Sequence, residues 1–545
     1  MYTLPKIERF QQNVASKYTI YNSVFITLPF DEINNTGVLL PLFSEVCESG
    51  YRNEQSPAEI FETFVNKYLD NPSEAEKISL LFRFIQYVER QVVLFDAIED
   101  AAFPIVNNME GKSSLRAIKE TAESEGKTKE LKEFLENFKV RTVLTAHPTQ
   151  FYPGSVLGII TDLTEALKAN NHIVIKDLLA QLGKTPFFKK EKPTPFDEAV
   201  SLVWYLENVF YPTASEMAHY LQKNIFKGNK LKNDVLNLGF WPGGDRDGNP
   251  FVTTEITLKV AERLRTSILK CYYTDVRKLK RKLTFTGVDV IIAELENKLY
   301  RSVFYSQGEI FISLEEFKTQ LHNIKNIIIE KHQSLYVDEV DLLLNKVNLF
   351  GFHFATLDIR QNSKIHKAVF QDIVQKEKSL FPADYFSLSE TAKIDILSKA
   401  SAQLKASDFD NEITNETISS IEAIRTIQEN NGELGANRYI ISNNESALNV
   451  METYALFKLC NWQNPSVDIV PLFESIEDLK DADKIIGAAK NDELTGLAGN
   501  DTLRGEAGND ILNGNEGNDS LDGGNGNNEL YGDDGNDILN GGSGQ

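Results

Sequence analysis

The sequence contains few cysteines, and no two of them lie close together. The three cysteines among its 545 residues are Cys47, Cys271 and Cys460. Their spacing lacks both the CxxC pairs of a zinc ribbon and the dense, even cysteine pattern of a disulfide scaffold. We therefore expect residues 1–486 to fold in a reducing compartment, the cytoplasm.

Long apolar runs are missing as well. No run of about 18 consecutive apolar residues occurs, so the sequence predicts no transmembrane helix. The N-terminal segment MYTLPKIERFQQNVASKYTIY has no apolar run long enough for a signal peptide. Lys and Arg residues are also fewer than Asp and Glu residues. The resulting net charge of −22 argues against nucleic acid or an anionic membrane as the main partner.

The acidic charge is unevenly distributed along the chain. The last 59 residues, from Gly487, carry a net charge of −10 and hold 15 of the 32 glycines but no proline. The preceding 486 residues carry only −12. A glycine-rich segment with this density of carboxylates is suited to binding cations.

This C-terminal segment repeats every nine residues. Its blocks read GAAKNDELT, GLAGNDTLR, GEAGNDILN, GNEGNDSLD, GGNGNNELY and GDDGNDILN, followed by GGSGQ. Glycine opens each block, leucine holds the eighth place, and Asp holds the sixth place of every full block except one, where Asn528 stands. The Asp residues are Asp492, Asp501, Asp510, Asp519 and Asp537.

The period predicts a parallel β-roll over residues 487–545, in which the leucines form the core and the turns offer oxygen ligands. Two blocks per coil give three coils, which is near the minimum for stability. The repeats resemble the repeats-in-toxin family, and the resemblance implies that the Asp residues bind Ca²⁺. Lys490, in the place of a glycine, and Asn528 depart from the pattern. The alternative is an acidic disordered segment, which the strict period disfavours.

Capping boxes mark two helices in the N-terminal region. Ser56 and Glu59 predict one helix start, and Ser73 and Glu76 predict the start of a longer helix. Apolar residues at helical spacing predict the buried face of that longer helix; they are Ile78, Leu81, Phe82, Ile85 and Val88. Similar patterns predict helices near 196–224, 254–283, 314–335, 389–405, 416–430 and 446–460.

Four short β-rich runs lead directly into polar residues. The runs cover 140–144, 349–357, 438–442 and 467–473, and they lead into TAHPTQ, DIRQ, NNE and Glu474. Strands that alternate with helices and end in reactive residues are typical of an α/β barrel. Too few strands precede the repeats to close such a barrel. The sequence therefore predicts a mostly α fold with an incomplete α/β (TIM-type) barrel in residues 1–486.

His147 lies in the segment VLTAHPTQ, where Pro148 stiffens the backbone beside Thr145 and Thr149. A histidine held in this way suits proton transfer or a phosphate contact. The alternative is a turn histidine that makes structural hydrogen bonds.

The segment FWPGGDRDGNP covers residues 240–250 and includes Trp241. It places Asp245, Arg246 and Asp247 between glycines. Such a loop either lets the backbone approach an anion or lets the carboxylates and the arginine brace one another. A surface turn and a calcium-like loop are the alternatives.

Arg360 and Glu474 each follow a β-rich run. Arg360 suits bidentate binding of a carboxylate or phosphate, and its alternative is an ion-paired structural arginine. Glu474 suits a metal ligand or a base at a barrel mouth, and its alternative is a glutamate that faces the dipole of a helix N-terminus.

In this order, VLTAHPTQ, FWPGGDRDGNP, FGFHFATLDIRQNS and VPLFESIEDL resemble phosphoenolpyruvate carboxylase over residues 1–486. The resemblance implies that phosphoenolpyruvate and bicarbonate give oxaloacetate and phosphate, with Mg²⁺ or Mn²⁺ as the cofactor. It implies that His147 is the catalytic histidine, that Arg360 binds the substrate phosphate, and that Glu474 is one of two carboxylate metal ligands. Trp241 and Arg246 are implied to border the substrate pocket.

The resemblance stops near Ile486, and chains of the family are much longer. Residues 487–545 contain neither a GYSDSxKDxG-like segment, with the second metal carboxylate and a lysine, nor an FHGRGG-like loop with its arginine. We therefore expect the chain alone to be inactive. We also expect the open edge of a half-barrel to favour association with a partner.

Two alternatives remain open for the whole chain. One is a secreted calcium-binding protein with a non-catalytic body, because the repeats-in-toxin family leaves the cell by a C-terminal signal. The other is a chimera, because the junction near residue 486 divides a barrel, whereas natural fusions join whole folded units.

Overall fold

Helices form most of the structure, which is a computed structural model. It describes residues 4–27, 36–109, 111–112, 114–145, 152, 154–187, 193–227, 235–305, 311–474, 493–495, 499–505 and 508–542. The chain divides into two units. Residues 1–128 and 148–192 form the first, and residues 129–147 and 193–545 form the second.

Several helices in the N-terminal part begin where the sequence supplies a cap. The helices up to residue 187 are α1 (Lys6–Phe10), α2 (Ser16–Thr27), α3 (Thr36–Arg52), α4 (Pro57–Tyr68), α5 (Glu74–Val106), α6 (Leu115–Ser124), α7 (Thr128–Asn137), α8 (Gly154–Lys168) and α9 (His172–Lys184). A π-helical turn, Gln11–Ala15, joins α1 to α2. Both predicted capping boxes are confirmed, because the backbone N–H groups of Ser56 and Ser73 donate to Glu59 and Glu76 at 2.8 and 2.7 Å.

The buried face of α5 differs from the prediction. The predicted stripe is 42–55% exposed at Ile78, Phe82, Ile85 and Val88. The neighbouring residues Leu80, Phe84 and Tyr87 are buried instead, and the Phe84 ring stacks on Phe43 at 5.3 Å between centroids. Since α5 is apolar on two sides, its spacing predicts a helix without determining which side packs inward.

The second unit contains further helices. They are α10 (Pro195–Tyr205), α11 (Tyr211–Tyr220), α12 (Thr254–Lys280), α13 (Asp289–Phe304), α14 (Leu314–Lys331), α15 (Val337–Phe350), α16 (Ser363–Lys376), α17 (Glu390–Lys399), α18 (Glu412–Asn431) and α19 (Ala447–Leu459). π-helical turns lie at Leu206–Phe210 and Leu221–Ile225, and short 3-10 turns lie at Tyr385–Ser387, Ala406–Asp408 and Glu433–Gly435. The regions predicted as helical are confirmed, except that α17 ends at Lys399 and residues 400–405 are not helical. The helices α13, α15 and α16 were not predicted.

Short parallel strands run between these helices. They are β1 (Val140–Leu144), β2 (Leu236–Phe240), β3 (Thr356–Leu357), β4 (Ile359–Asn362), β5 (Arg438–Ser442) and β6 (Asp468–Pro471). They form two parallel sheets with the orders β1-β2-β3 and β4-β5-β6. Only Asp358 separates β3 from β4, and its N–H donates to the Phe240 carbonyl at 3.0 Å. The strands are therefore neighbours in chain order, and their C-terminal ends point the same way.

The predicted strand over 349–357 is wrong for most of its length. α15 continues to Phe350, and the chain then turns through Gly351 and Phe354, which have φ of +47° and +65°. β3 begins only at Thr356. The apolar run in this stretch belongs to a helix end and a buried turn, which hydrophobicity alone does not distinguish from a strand.

The strands contribute to one core with the helices of the second unit. Phe240, Leu357 and Ile441 are fully buried. His366 lies in the same core, where its Nε2 is 2.9 Å from the Tyr439 hydroxyl. Burial lowers the pKa of His366 to about 4, so this histidine is a neutral core residue.

The repeats form short parallel strands of their own. They are β7 (Glu493–Thr495), β8 (Thr502–Arg504), β9 (Ile511–Asn513), β10 (Ser520–Asp522), β11 (Glu529–Tyr531) and β12 (Ile538–Asn540). One sheet has the order β8-β10-β12 and the other β7-β9-β11. Paired residues lie 18 apart, as in Leu503 with Leu521 and Leu521 with Leu539. Two nine-residue blocks therefore advance the chain by one strand in each sheet.

None of the helices in the described ranges has the length and apolar character that crossing a bilayer requires.

Candidate functional site

The loop that follows β2 is aligned with the strand that carries Arg360. The Arg360 N–H donates to the Gly244 carbonyl and the Arg246 N–H donates to the Arg360 carbonyl, both at 3.0 Å. On its other side, Arg360 pairs with Ile440 of β5. These backbone bonds fix the loop against the strand and bring Asp245 and Asp247 to the Arg360 side chain.

Three carboxylates surround the Arg360 guanidinium. Nη2 donates to Asp247 Oδ2 at 3.0 Å and to Glu474 Oε1 at 3.2 Å, and Nη1 lies 3.4 Å from Asp245 Oδ2. The Trp241 ring lies beneath the guanidinium at 5.4 Å from its centroid. The sequence predicted these side chains separately, and the structure brings all of them together around Arg360 of β4.

The charges of this cluster are only partly compensated. Within the described ranges, Arg360 is the one cation that pairs with the carboxylates of Asp245, Asp247 and Glu474. Burial raises the pKa of Asp245, and the nearby Arg360 opposes that rise. Arg360 Nε is buried and has no hydrogen-bond partner within the described part of the chain. The described side chains therefore leave one buried donor of the guanidinium unsatisfied.

Trp241 is positioned by a second ion pair that sequence reasoning missed. Its indole Nε1 donates to Asp358 Oδ2 at 3.2 Å, and Arg141 Nη2 donates to Asp358 Oδ1 at 2.5 Å. Asp358 is 2% exposed, and burial raises its pKa while Arg141 opposes the rise. The available signal was Arg141 itself, a charged residue inside the apolar strand β1.

Arg246 points away from Arg360 and braces the loop against α18. Its Nη2 donates to Glu416 Oε2 at 2.5 Å, and its Nη1 donates to the Glu416 carbonyl at 3.1 Å. The side chain is 6% exposed. Burial alone would raise the pKa of Glu416, but hydrogen bonds from Thr254 and Arg246 outweigh it and lower the pKa. Arg246 is thus engaged in the fold, and its predicted role in substrate binding stays a prediction.

A cavity of about 750 Å³ lies beside this loop. Arg246, Asp247, Asn362, Lys364 and Glu416 are among the residues that line it. Asp247 also accepts a hydrogen bond from Asn362 Nδ2 at 3.2 Å, so this carboxylate links the cavity wall to the Arg360 cluster.

Two predicted site residues, His147 and Asp492, lie outside the described residues. In the described ranges, no three His, Cys, Asp or Glu side chains are arranged to hold a metal ion. Glu474, the predicted Mg²⁺ or Mn²⁺ ligand, accepts a hydrogen bond from Arg360. The described residues therefore do not complete a magnesium site.

The sixth-place Asp residues of the repeats form a ladder from coil to coil. The backbone N–H of Asp501 donates to Asp519 Oδ1 at 2.8 Å, and that of Asp519 donates to Asp537 Oδ1 at 2.9 Å. The Oδ2 atoms of Asp501 and Asp519 are buried and accept no hydrogen bond within the described residues. A buried carboxylate oxygen of this kind fits Ca²⁺, which prefers oxygen ligands, and backbone carbonyls would complete such a site.

A second ladder, which the sequence analysis missed, runs through the fifth-place asparagines. The Asn518 N–H donates to Asn500 Oδ1 at 2.9 Å, and the Asn536 N–H donates to Asn518 Oδ1 at 2.8 Å. The Asn527 N–H donates to Asn509 Oδ1 in the same way, at 2.8 Å. Asn recurs at this place in every full block, and that recurrence was the available signal.

Comparison with known proteins agrees with both parts of the sequence. The family model for phosphoenolpyruvate carboxylase matches residues 78–302 and 291–495, and the model for the RTX calcium-binding nonapeptide repeat matches residues 480–512 and 513–545. The phosphoenolpyruvate carboxylases of Shewanella loihica and Shewanella halifaxensis are 27 and 25% identical to this chain over 401 and 399 residues. Each alignment covers 65% of this chain and 45% of the relative.

The chain thus spans about half the length of the curated relatives that it matches. The carboxylase match nevertheless extends over well more than half of the chain itself. The chain belongs to the phosphoenolpyruvate carboxylase family and carries RTX calcium-binding repeats in its C-terminal part.

Proposed function

We propose that strands β1–β6 are an open segment of a TIM-type barrel whose strand ends bind phosphoenolpyruvate. The observation that carries the proposal is the Arg360 guanidinium of β4, which is held by Asp247 and Trp241 from the segment that follows the C-terminal end of β2. Sites of this fold form at the C-terminal ends of the strands. The planar fork of an arginine matches a phosphate group with two parallel hydrogen bonds.

When a phosphate group binds Arg360, it replaces one of the carboxylates that Arg360 contacts. The side chain of Glu474 is 45% exposed, against 20% for Asp245 and 23% for Asp247. Asp247 is further held by Asn362, and Asp245 by the N–H of Asp247. Glu474 is therefore the carboxylate that yields to an incoming phosphate, so Arg360 keeps an anionic partner throughout.

We keep His147 as the catalytic histidine and Glu474 as one ligand of Mg²⁺ or Mn²⁺, on the strength of the family motifs alone. Trp241 borders the pocket through its contact with Arg360, and Arg246 supports the same loop from the opposite side. Bicarbonate is the proposed second substrate. The metal site needs ligands beyond the described residues, so the proposal depends on Arg360 rather than on a metal.

We propose that the 545-residue chain by itself forms no oxaloacetate. The Arg360 cluster offers one cation against three carboxylates, so it supplies a single positive charge to the charge that develops when the phosphoryl group is transferred. Loss of one electrostatic contact in an active site costs about 10²–10³ in rate. A partner that pairs with the free edge of β6 could supply the other groups, because β6 pairs with β5 on only one side in the described residues.

The test separates binding from turnover. The purified chain is incubated with phosphoenolpyruvate, bicarbonate and Mg²⁺, and oxaloacetate is measured by its reduction with malate dehydrogenase and NADH. Isothermal titration calorimetry with phosphoenolpyruvate measures binding. We expect binding without turnover. Oxaloacetate above background would contradict the proposed inactivity, and absence of binding would contradict the role of Arg360.

We propose as a second function that the repeats form a β-roll that binds Ca²⁺. The favouring observation is the pair of buried Oδ2 atoms of Asp501 and Asp519, which accept no hydrogen bond in the described residues. Taking two carboxylate oxygens out of water without a cation or a donor is costly. Far-UV circular dichroism during a CaCl₂ titration, with MgCl₂ as the control, tests this function. A spectrum that Ca²⁺ leaves unchanged, together with no calorimetric heat, would exclude it.

The two parts of the chain point to different cellular compartments. We propose the cytoplasm if the carboxylase-like part does, and the outside of the cell, by a C-terminal export route, if the repeats do. Long-read sequencing of the source transcript across the codons for Asp478 to Thr502 tests the remaining alternative, a chimera. An uninterrupted reading frame through this junction would exclude it.

A further inference from the structure

In the four blocks that open with Gly505, Gly514, Gly523 and Gly532, the sixth-place side chain lies close to the opening glycine. A Cβ atom added to Gly514 would collide with Asp519 Oδ2, and one added to Gly532 would collide with Asp537 Oδ2. A Cβ atom added to Gly523 would lie 2.7 Å from Asn528 Nδ2. The amide nitrogen of Asn528 therefore occupies the position that a carboxylate oxygen holds in the other blocks.

Asn528 uses this nitrogen in a way that an aspartate cannot. Its Nδ2 donates a hydrogen bond to the Gly523 carbonyl at 2.5 Å. Its Oδ1 accepts from the N–H of Asp510 at 2.8 Å, as the aspartates do elsewhere in the ladder. The coil-to-coil bond is thus preserved, while a neutral donor replaces an anionic acceptor.

The substitution affects only one of the two rows of turns. Asp501, Asp519 and Asp537 precede the strands of the β8-β10-β12 sheet, and we call them the first row. Asp510 and Asn528 precede the strands β9 and β11 of the other sheet, and we call them the second row. In the first row, Asp519 Oδ2 and the Gly532 carbonyl both lie against a Cβ atom added to Gly514, and a cation between them would satisfy both oxygens.

The Gly523 carbonyl also belongs to the surroundings of Asp510. It lies 2.9 Å from a Cβ atom added to Gly505, which would also meet Asp510 Oδ2. The Gly523 carbonyl oxygen, which would otherwise be available to a cation, accepts a hydrogen bond from Asn528 Nδ2 instead. The second row has lost one negative charge and one available oxygen at the same place.

We infer that the Asn528 amide replaces one Ca²⁺ between the coils of Asp510 and Asn528, so that these two coils are joined without metal at this turn while the first row requires it. This inference rests on the proposed binding of Ca²⁺ by the repeats. The chain would then bind fewer calcium ions than the number of its nine-residue blocks indicates. The residue at position 528 would determine how many ions bind.

The experiment counts calcium ions on the full chain by isothermal titration calorimetry with CaCl₂. We expect Asn528→Asp to bind one more Ca²⁺ per chain than the unsubstituted protein. We expect Asp519→Asn, the matched change in the first row, to bind at least one fewer. An Asn528→Asp chain with an unchanged number of ions would overturn the inference while leaving calcium binding intact.

A second variant makes the inference testable even if Asn528→Asp does not fold. Asn528→Ala removes the amide without adding a charge, and in EDTA we expect thermal unfolding of the repeats at a lower temperature than in the unsubstituted chain. Equal unfolding temperatures would show that the amide does not hold the second row. Failure of the unsubstituted chain to bind Ca²⁺ at all would instead remove both this inference and the proposed calcium function.

Discussion

Glu452 should make the second unit less stable as the pH rises from 4.5 to about 7. This residue of α19 is 5% exposed. Burial raises its pKa from 4.5 to about 7, and Asn449, Lys367 and Lys393 oppose that rise only in part. Its Oε2 is buried without a hydrogen-bond partner in the described residues. The protonated, neutral form is therefore the one that the fold accommodates.

The magnitude follows from the shift in the pKa of Glu452. The pKa of the carboxyl is 4.5 in the unfolded chain and about 7 in the folded chain. The folded state binds more protons between these values, so the free energy of unfolding decreases as the pH rises from 4.5 to 7. At about 1.4 kcal/mol per pKa unit, the full loss is on the order of 3 kcal/mol. The loss is complete above the folded-state pKa.

The assay is urea unfolding of the full chain at pH 5 and pH 8. We expect Glu452→Gln to be more stable than the unsubstituted protein at pH 8, by up to about 3 kcal/mol, and nearly equal to it at pH 5. Glu429→Gln on exposed α18 surface is the control and should show no such dependence. A Glu452→Gln effect of equal size at both pH values would refute the reasoning, because titration of Glu452 would not be its cause.

Three further predictions concern Arg360, Glu416 and the leucines of the repeats. Arg360→Lys keeps the charge but loses the planar fork, so calorimetry should show roughly tenfold weaker phosphoenolpyruvate binding, whereas Arg281→Ala, at the exposed end of α12, should bind normally. Glu416→Ala leaves the buried Arg246 without its carboxylate and, because Glu416 is 38% exposed, should lower the free energy of unfolding by about 1–3 kcal/mol; an unchanged urea midpoint would contradict the bracing role. Leu521→Ala should destabilise the Ca²⁺-loaded repeats by about 2–5 kcal/mol. Leu539→Ala, at a side chain 50% exposed against 1% for Leu521, should cost clearly less.

The sequence predicted individual elements where local signals were strong. β1 and β5 have the predicted bounds, and the capping boxes begin α4 and α5 as expected. β2 was not predicted. Its last residue already belongs to the segment FWPGGDRDGNP, whose glycines and charged residues indicate a loop. The exposed stripe of α5 shows a different limit, since helical spacing identifies an apolar face but not its neighbour.

The candidate site was predicted residue by residue, but its pairing was not. Arg360, Asp245 and Asp247 were each singled out, yet their ion pairs join positions 113–115 residues apart. Such contacts depend on the register of parallel strands, which a single sequence does not specify. The pair of Arg141 with Asp358 was missed for the same reason, because its members lie 217 residues apart.

The paired ladders of the repeats have a consequence for how stability depends on length. The Asp ladder donates toward later coils and the Asn ladder donates toward earlier ones, so an inner coil is bonded in both directions and an outer coil in one. Stability of such an array is close to a sum over coils and over the interfaces between them. With three strands in each sheet there are two interfaces, and one added coil would raise their number by half. The array should therefore behave as a one-dimensional lattice, in which length sets the cooperativity of folding.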